Sequence, residues 1–256
     1  MTGNIRLFGI DMDAVRMSDA VEQVMDWATS EGPCRYVVTP NVDHAVMFQE
    51  REDLRLAYAA ASLVLADGFP VVVASRLLGK KLPERVAGSD LAPALFEKVS
   101  QSPLESALRV YLLGAAPGVA EKAAKNIEAR WPGVKVVGTY SPPLGFEKDD
   151  AENDRILARI ADARPEVVLL GLGAPKQELW VHRHRERIAA RAVLCVGATI
   201  DFLAGERSRA PVWMRKTGLE WLHRVASEPR RLIKRYARDA WIFPQLVWRE
   251  WRSTGT

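Results

Sequence analysis

The sequence predicts an α/β fold: a Rossmann-like, mostly parallel sheet flanked by helices, followed by a basic helical appendage. Apolar runs of strand length alternate with amphipathic stretches, which implies parallel strands joined by right-handed crossovers. Several runs are apolar without interruption, as in Val-Val-Leu-Leu-Gly at 167–171, the pattern of strands covered on both faces. Glycine or polar residues follow most runs. Strands are expected at 6–10, 35–39, 63–66, 109–114, 134–137, 167–171 and 193–197. Helices are expected at 18–29, 54–61, 89–99, 118–130, 151–163 and 176–188. Ser18 with Asp19, and Ser89 with Asp90, offer side-chain oxygens to the free N–H groups of a first turn.

Beyond about residue 204 the strand pattern stops. Residues 213–225 and 229–251 carry helical periodicity, with Pro229 suited to a first-turn position. Two units are therefore expected, a core over 1–204 and an appendage over 205–256. The stretch 205–252 holds 12 Lys or Arg against five acids, and five of the chain's eight tryptophans lie in it. A near-neutral body with a basic, Trp-rich end predicts a polyanionic partner. Ile233, Tyr236, Ala240 and Phe243 are expected along one face, with Arg230, Lys234 and Arg238 beside them, which suits a membrane surface.

Two cysteines, Cys34 and Cys195, exclude a disulfide scaffold and a four-cysteine zinc site. No apolar run reaches the roughly 20 residues of a membrane span, and residues 1–6 lack a secretory layout. A cytoplasmic location is expected.

In a parallel sheet, ligands gather beyond the carboxyl ends of the strands. There the sequence places Thr39-Pro-Asn41, Asp67-Gly68, Gly114 to Gly118, Gly171-Leu-Gly173 with Lys176 and Gln177, and Asp201. The two glycine turns each open onto a helix, where free N–H groups favour phosphate, yet neither completes a dinucleotide fingerprint or a P-loop. Asp67 with Thr39 and Asn41 makes a small polar group in which an acid can act as general base. Arg85 can supply positive charge or pair with Glu84. Asp11-Met-Asp13 matches a metal-diphosphate D-x-D pattern but lacks a supporting cluster. His44, His182, His184 and His223 show no zinc spacing, and His182 and His184 are expected to be exposed in an Arg-rich helix. An NAD-dependent oxidoreductase would need an acid about 20 residues beyond the Gly171 turn, where the chain reads Ala189-Ala-Arg-Ala-Val. A nucleic-acid module using the tail leaves Asp67 and the Pro175–Glu178 block without a role, so no nucleic-acid partner is expected.

Longer blocks carry a resemblance. Thr39-Pro-Asn41, Ala66-Asp-Gly68, Leu82-Pro-Glu-Arg-Val-Ala-Gly-Ser-Asp-Leu91 and Gly171-Leu-Gly-Ala-Pro-Lys-Gln-Glu178 are joined by four more in the tail. These are Asp201-Phe-Leu-Ala-Gly205, Arg209-Ala-Pro-Val-Trp-Met214, Gly218-Leu-Glu-Trp221 and Glu228-Pro-Arg-Arg231. Together they resemble the WecG/TagA/CpsF family of bacterial glycosyltransferases (glycosyltransferase family 26) over nearly the whole chain. The resemblance implies a metal-independent, inverting transferase without a cofactor. It would move a sugar, typically N-acetylmannosamine, from a UDP-sugar to a polyprenyl-diphosphate-linked sugar in surface-polysaccharide assembly. It also implies that Asp67 is the base, with Thr39, Asn41, Arg85 and Gln177 in the active site. Asp201 would bind nucleotide, and the appendage would dock on the inner membrane surface and bring Arg224 and Arg231 over the site. The glycine turns at Gly114, Gly171 and Gly173, with Lys176, are the expected phosphate contacts, and a homo-oligomer is a further expectation. Two departures stand out: Lys234 where the family has an arginine, and Phe69-Pro70 after Asp-Gly where a second glycine is common.

Overall fold

The computed structural model describes residues 3–101 and 107–254, apart from the side chains of Lys216, Arg231 and Thr254. The first expected strand is corrected. Phe8 and Gly9 both take positive φ (55° and 84°), the geometry of a tight hairpin turn. They fold the chain into an antiparallel pair, β1 (Asn4–Leu7) and β2 (Ile10–Asp13), outside the main sheet. The other six expected runs form that sheet: β3 (Arg35–Val38), β4 (Leu63–Val64), β5 (Leu108–Gly114), β6 (Val134–Tyr140), β7 (Val167–Gly171) and β8 (Ala192–Cys195). All its pairings are parallel, in the order β4-β3-β8-β7-β5-β6.

Alternate residues of each strand feed opposite cores, as a period of two demands. Tyr36, Val38, Val168 and Leu170 join one layer, whereas Val37, Val167 and Leu169 join the other. The second layer is covered by α1 (Met17–Thr29), α5 (Gly88–Gln101), α6 (Val119–Arg130) and α9 (Thr199–Ala204). The first is covered by α2 (Val42–Glu50), α3 (Glu52–Ala59), α4 (Phe69–Leu77), α7 (Asp150–Ala163) and α8 (Lys176–His184), together with the hairpin.

Three of these helices were not legible in the pattern. Helix α2 buries Asp43, His44, Ala45, Val46 and Phe48, so it shows little polar stripe. Helix α4 opens Phe-Pro and continues with three valines, a composition that favours strands. Helix α9 has six residues, too few to display a period.

The tail forms α10 (Val212–Thr217), α11 (Glu220–Ser227) and α12 (Pro229–Thr254). A left-handed Gly218 (φ 80°) divides the single helix expected at 213–225. In α12 the expected single apolar face is corrected into two stripes. Leu232, Tyr236, Asp239, Phe243 and Leu246 turn inward at alternating spacings of four and three; Phe243 meets Phe8 edge-on at 5.2 Å, and Leu246 is buried in the core. On another side of the helix, Ile233, Trp241, Trp248 and Trp251 remain exposed. Each residue turns a helix by about 100°, so neighbouring positions point to different surroundings. The 204/205 boundary is also crossed by polar contacts: Lys80 pairs with Glu250 at 2.6 Å, and Arg238 with Asp43 at 2.8 Å. Among the described residues, no helix is long and apolar enough to cross a membrane.

Candidate active site

The strand order opens a crevice. Neighbouring strands β3 and β8 lead into α2 on one face of the sheet and α9 on the other, which parts the chain beyond their carboxyl ends. Over that edge lie α11 and α12, enclosing a cavity of about 280 Å³. Asp67 stands in its wall. Its backbone N–H donates to Pro40 O at 2.8 Å, and Val86 N–H donates to Ala66 O at 2.9 Å, clamping the turn between two segments. Gly68 follows at φ 147°, a backbone conformation that residues with a side chain rarely adopt. The Asp67 carboxylate accepts no hydrogen bond among the described residues. Burial pushes its pKa up to about 6; Arg85 and Arg224 pull against that shift, and Glu220 and Asp90 reinforce it. An acid held near 6 is largely ionised at neutral pH yet basic enough to take a proton.

Around Asp67 the arginines are grouped rather than scattered. Arg85 donates to Asp90 at 2.9 Å and to Glu220 at 2.8 Å. Asp90 also receives Arg209 at 2.8 Å and Arg215 at 3.2 Å, while Arg224 stands 3.7 Å from Glu220. Core and appendage thus contribute to one charged cluster, with Arg85, Arg215, Glu220 and Arg224 on the cavity wall. Phe69, Trp221, Tyr236, Phe243 and Pro244 add an apolar flank, and Asp43, Arg235 and Asp239 belong to the same lining. Phe69 also seats the appendage: a Cβ on Gly218 would lie 2.2 Å from its ring, so only glycine allows this approach. On the far side Asp43 is held by Arg235 and Arg238, and burial followed by the neighbouring Asp43 pushes Asp239 up to about 6.

Of the expected site residues, Asn41, Asp67, Arg85 and Arg224 meet on this cavity. Thr39 and Gln177 lie beneath it. Thr39 donates to Cys195 O at 3.3 Å, and the Gln177 amide spans Glu178 and the Gly197 N–H. The glycine turns are close-packing points. A Cβ on Gly114 would sit 2.5 Å from the Gly171 carbonyl, and one on Gly171 would sit 2.8 Å from Ile200. Gly173 is left-handed at φ 79°, and Lys176 pairs with Glu147 at 3.2 Å. Asp201 lies 3.5 Å from Arg207, beside a second cavity of about 420 Å³ lined by Ala198, Phe202, Arg207 and Arg224, so Arg224 borders both. The Arg231 side chain lies outside the described residues.

Asp11 is paired with Arg6, and Asp13 accepts from the Val64 N–H at 2.8 Å; neither lines either of these two cavities. Among the described residues, no three His, Cys, Asp or Glu side chains converge as a metal site would require. The expected exposure of the helical histidines is corrected: His184 is buried against Trp180 and His182 half-buried, because α8 turns that face to the core. Both cysteines are free thiols, and burial pushes Cys34 up to about 12 and Cys195 upward too. Sequence reading missed Glu220, Asp90, Tyr236 and Phe243 as site residues. Asp90 could have been found, since it shares a block with Arg85, but the others reach the site only through the fold of the tail.

The chain matches the model of the glycosyl transferase WecG/TagA/CpsF family over residues 5–256. It is 31% identical over 196 residues to an N-acetylglucosaminyldiphosphoundecaprenol N-acetyl-beta-D-mannosaminyltransferase of Bacillus spizizenii, covering 77% of this chain and 72% of that relative. A protein of the same name from Staphylococcus aureus is 28% identical over 235 residues, covering 90% of this chain and 87% of its own length.

Proposed function

This chain belongs to the WecG/TagA/CpsF family of glycosyltransferases, and from that premise we propose that it transfers N-acetylmannosamine from a UDP-sugar to a hydroxyl of a polyprenyl-diphosphate-linked sugar. The transfer is a single displacement with inversion and needs no metal. The acceptor oxygen bonds to the anomeric carbon as the bond from that carbon to the UDP oxygen breaks, and Asp67 takes the hydroxyl proton. UDP leaves with added negative charge, which cationic side chains must meet. Arg85 and Arg224, the two cations whose charge acts on Asp67, are the candidates, and Arg224, like Arg235, lines both the Asp67 cavity and the one beside Asp201. Losing one preorganised donor to such a charge costs about 3–4 kcal/mol.

One observation carries most weight. An acid raised to about 6 and free of hydrogen-bonded partners among the described residues faces a cavity that sets arginines beside it and an apolar flank of Phe69, Trp221, Phe243 and Pro244 next to them. A sugar diphosphate on a hydrocarbon chain has that same polarity. The exposed Ile233, Trp241, Trp248 and Trp251 supply an apolar stripe beside basic residues, suited to an anionic membrane where the acceptor resides. Each basic residue there adds about 1 kcal/mol.

The test is a panel of UDP-sugars offered with a short-chain lipid-diphosphate-GlcNAc acceptor, with released UDP as the readout. Turnover with UDP-N-acetylmannosamine that persists in EDTA is expected. Turnover with another donor alone would overturn the sugar assignment, and dependence on Mg²⁺ or Mn²⁺ would overturn metal independence.

A further inference from the structure

Beneath the cavity lies a buried histidine that the proposed chemistry does not use. His44, in the first turn of α2, is 6% exposed, and both of its ring nitrogens face oxygen atoms. Nδ1 is 2.9 Å from Asn41 Oδ1, and Nε2 is 3.3 Å from Glu178 Oε1. The Asn41 atom must be oxygen, because it accepts the Asp43 N–H at 3.0 Å to cap α2. The Glu178 atom also accepts from Gln177 Nε2 at 2.8 Å, as a carboxylate does. Nδ1 also lies 3.4 Å from the Asn41 N–H, so the contacts with Asn41 accommodate either a donating or an accepting Nδ1, and it is the Glu178 carboxylate at Nε2 that calls for a charged ring. Glu178 is 1% exposed and its Oε2 has no hydrogen-bond partner among the described residues, so this carboxylate needs a cation, and His44 stands against it.

The chain of contacts continues in both directions. Asn41 lines the Asp67 cavity. Gln177, anchored through Glu178, accepts the Gly197 N–H at 3.2 Å, at the turn whose next residue, Ala198, lines the second cavity.

We infer that His44, as an imidazolium paired with Glu178, is a positioning residue that holds Asn41 on the acceptor side and the Gly197–Ala198 turn on the nucleotide side in one register. This assignment of sides rests on the transferase reading above; the charge state of the pair does not. The charged groups facing His44 are Glu178 from α8, Asp43 on its own helix and Asp67 from the β4–α4 turn, with the Tyr58 ring of α3 6.4 Å away. Burial opposes the charge on His44, and the hydrogen bond it donates to Glu178, with the three carboxylates, outweighs that, so its pKa lies above the usual value.

The experiment has two arms. In ¹⁵N-histidine-labelled full-length protein, with His44 assigned by its loss in His44→Gln, both ring nitrogens are expected to be protonated at pH 7.5. One unprotonated nitrogen would overturn the charged pair, whether or not the protein transfers sugar. In the second arm, Glu178→Gln retains size and an acceptor but removes the charge. Its kcat is expected to fall about 10- to 100-fold, the scale of a misplacement near 1 Å, with donor KM changed less than twofold. A folded Glu178→Gln with wild-type kcat would overturn the positioning role. If that variant does not fold, His44→Asn, which keeps a donor toward Asn41, is read the same way. Absence of turnover in the wild type would instead refute the transferase reading.

Discussion

Replacing Asp67 by asparagine should remove activity and at the same time stabilise the protein, a pairing that distinguishes a functional acid from a structural one. Burial raises this carboxyl from 3.8 to about 6. At about 1.36 kcal/mol per pH unit, ionising it in the folded state costs about 3 kcal/mol above pH 6, reduced to about 1–2 kcal/mol by solvent reaching the half-buried side chain. The folded-state value lies above the unfolded one, so the native protein binds the extra proton between 3.8 and about 6. Stability contributed by the neutral form is therefore present below that window and lost as pH rises through it. Asp67→Asn escapes the loss. Arg85 and Arg224 keep Asp90 and Glu220 as partners, so no cation is stranded by the change. The melting midpoint of the variant should exceed that of the wild type at pH 8, each kcal/mol moving it by about 2–4 °C, and the two should converge near pH 3.5. Turnover should fall by about 10²- to 10⁴-fold, the usual share of a general base. Wild-type kcat/KM should rise with pH to a plateau, with its midpoint at about 6. Calorimetric scans at the two pH values and UDP release at saturating donor test both halves. A variant that is less stable at pH 8, or that turns over like the wild type, would refute the assignment.

Gly218→Ala should unseat the appendage, since the new methyl would meet the Phe69 ring at 2.2 Å and the backbone is left-handed at φ 80°. Overpacking of this kind costs about 1–3 kcal/mol, and a second change, Phe69→Ala, should recover part of the lost activity; no recovery would show that the ring contact is not what matters. Trp241→Ala with Trp248→Ala removes two exposed rings, 76% and 54% accessible. Co-sedimentation with anionic vesicles should weaken while the melting midpoint stays within about 2 °C, and unchanged sedimentation would remove these rings from the docking surface. Arg224→Gln, which leaves Arg85 on Glu220, should reduce kcat by about 10²- to 10³-fold, and a wild-type rate would take Arg224 out of the machinery.

The sequence by itself determined the parallel core, because strands covered on both faces must be apolar throughout and helices between them must be striped. It also marked Asp67 and Asn41, since polar residues directly after apolar strands can only gather at one edge of such a sheet, whereas Arg85 was marked by the block at 82–91 that carries the family resemblance. Local pattern could not reveal α2 or α4, whose buried faces and valines mask a helical period. Nor could it separate the two stripes of α12, because which stripe meets protein depends on where Phe8 and Asp43 stand, more than 190 residues away. Tertiary structure alone decided that Glu220 and Asp90 gather the arginines around Asp67. It alone decided that Gly114 and Gly171 touch each other, and that His44 bridges two strand ends. Periodicity reports how each element divides its own surface between water and core, whereas a site is made by elements meeting, and that meeting is settled only when the whole chain packs.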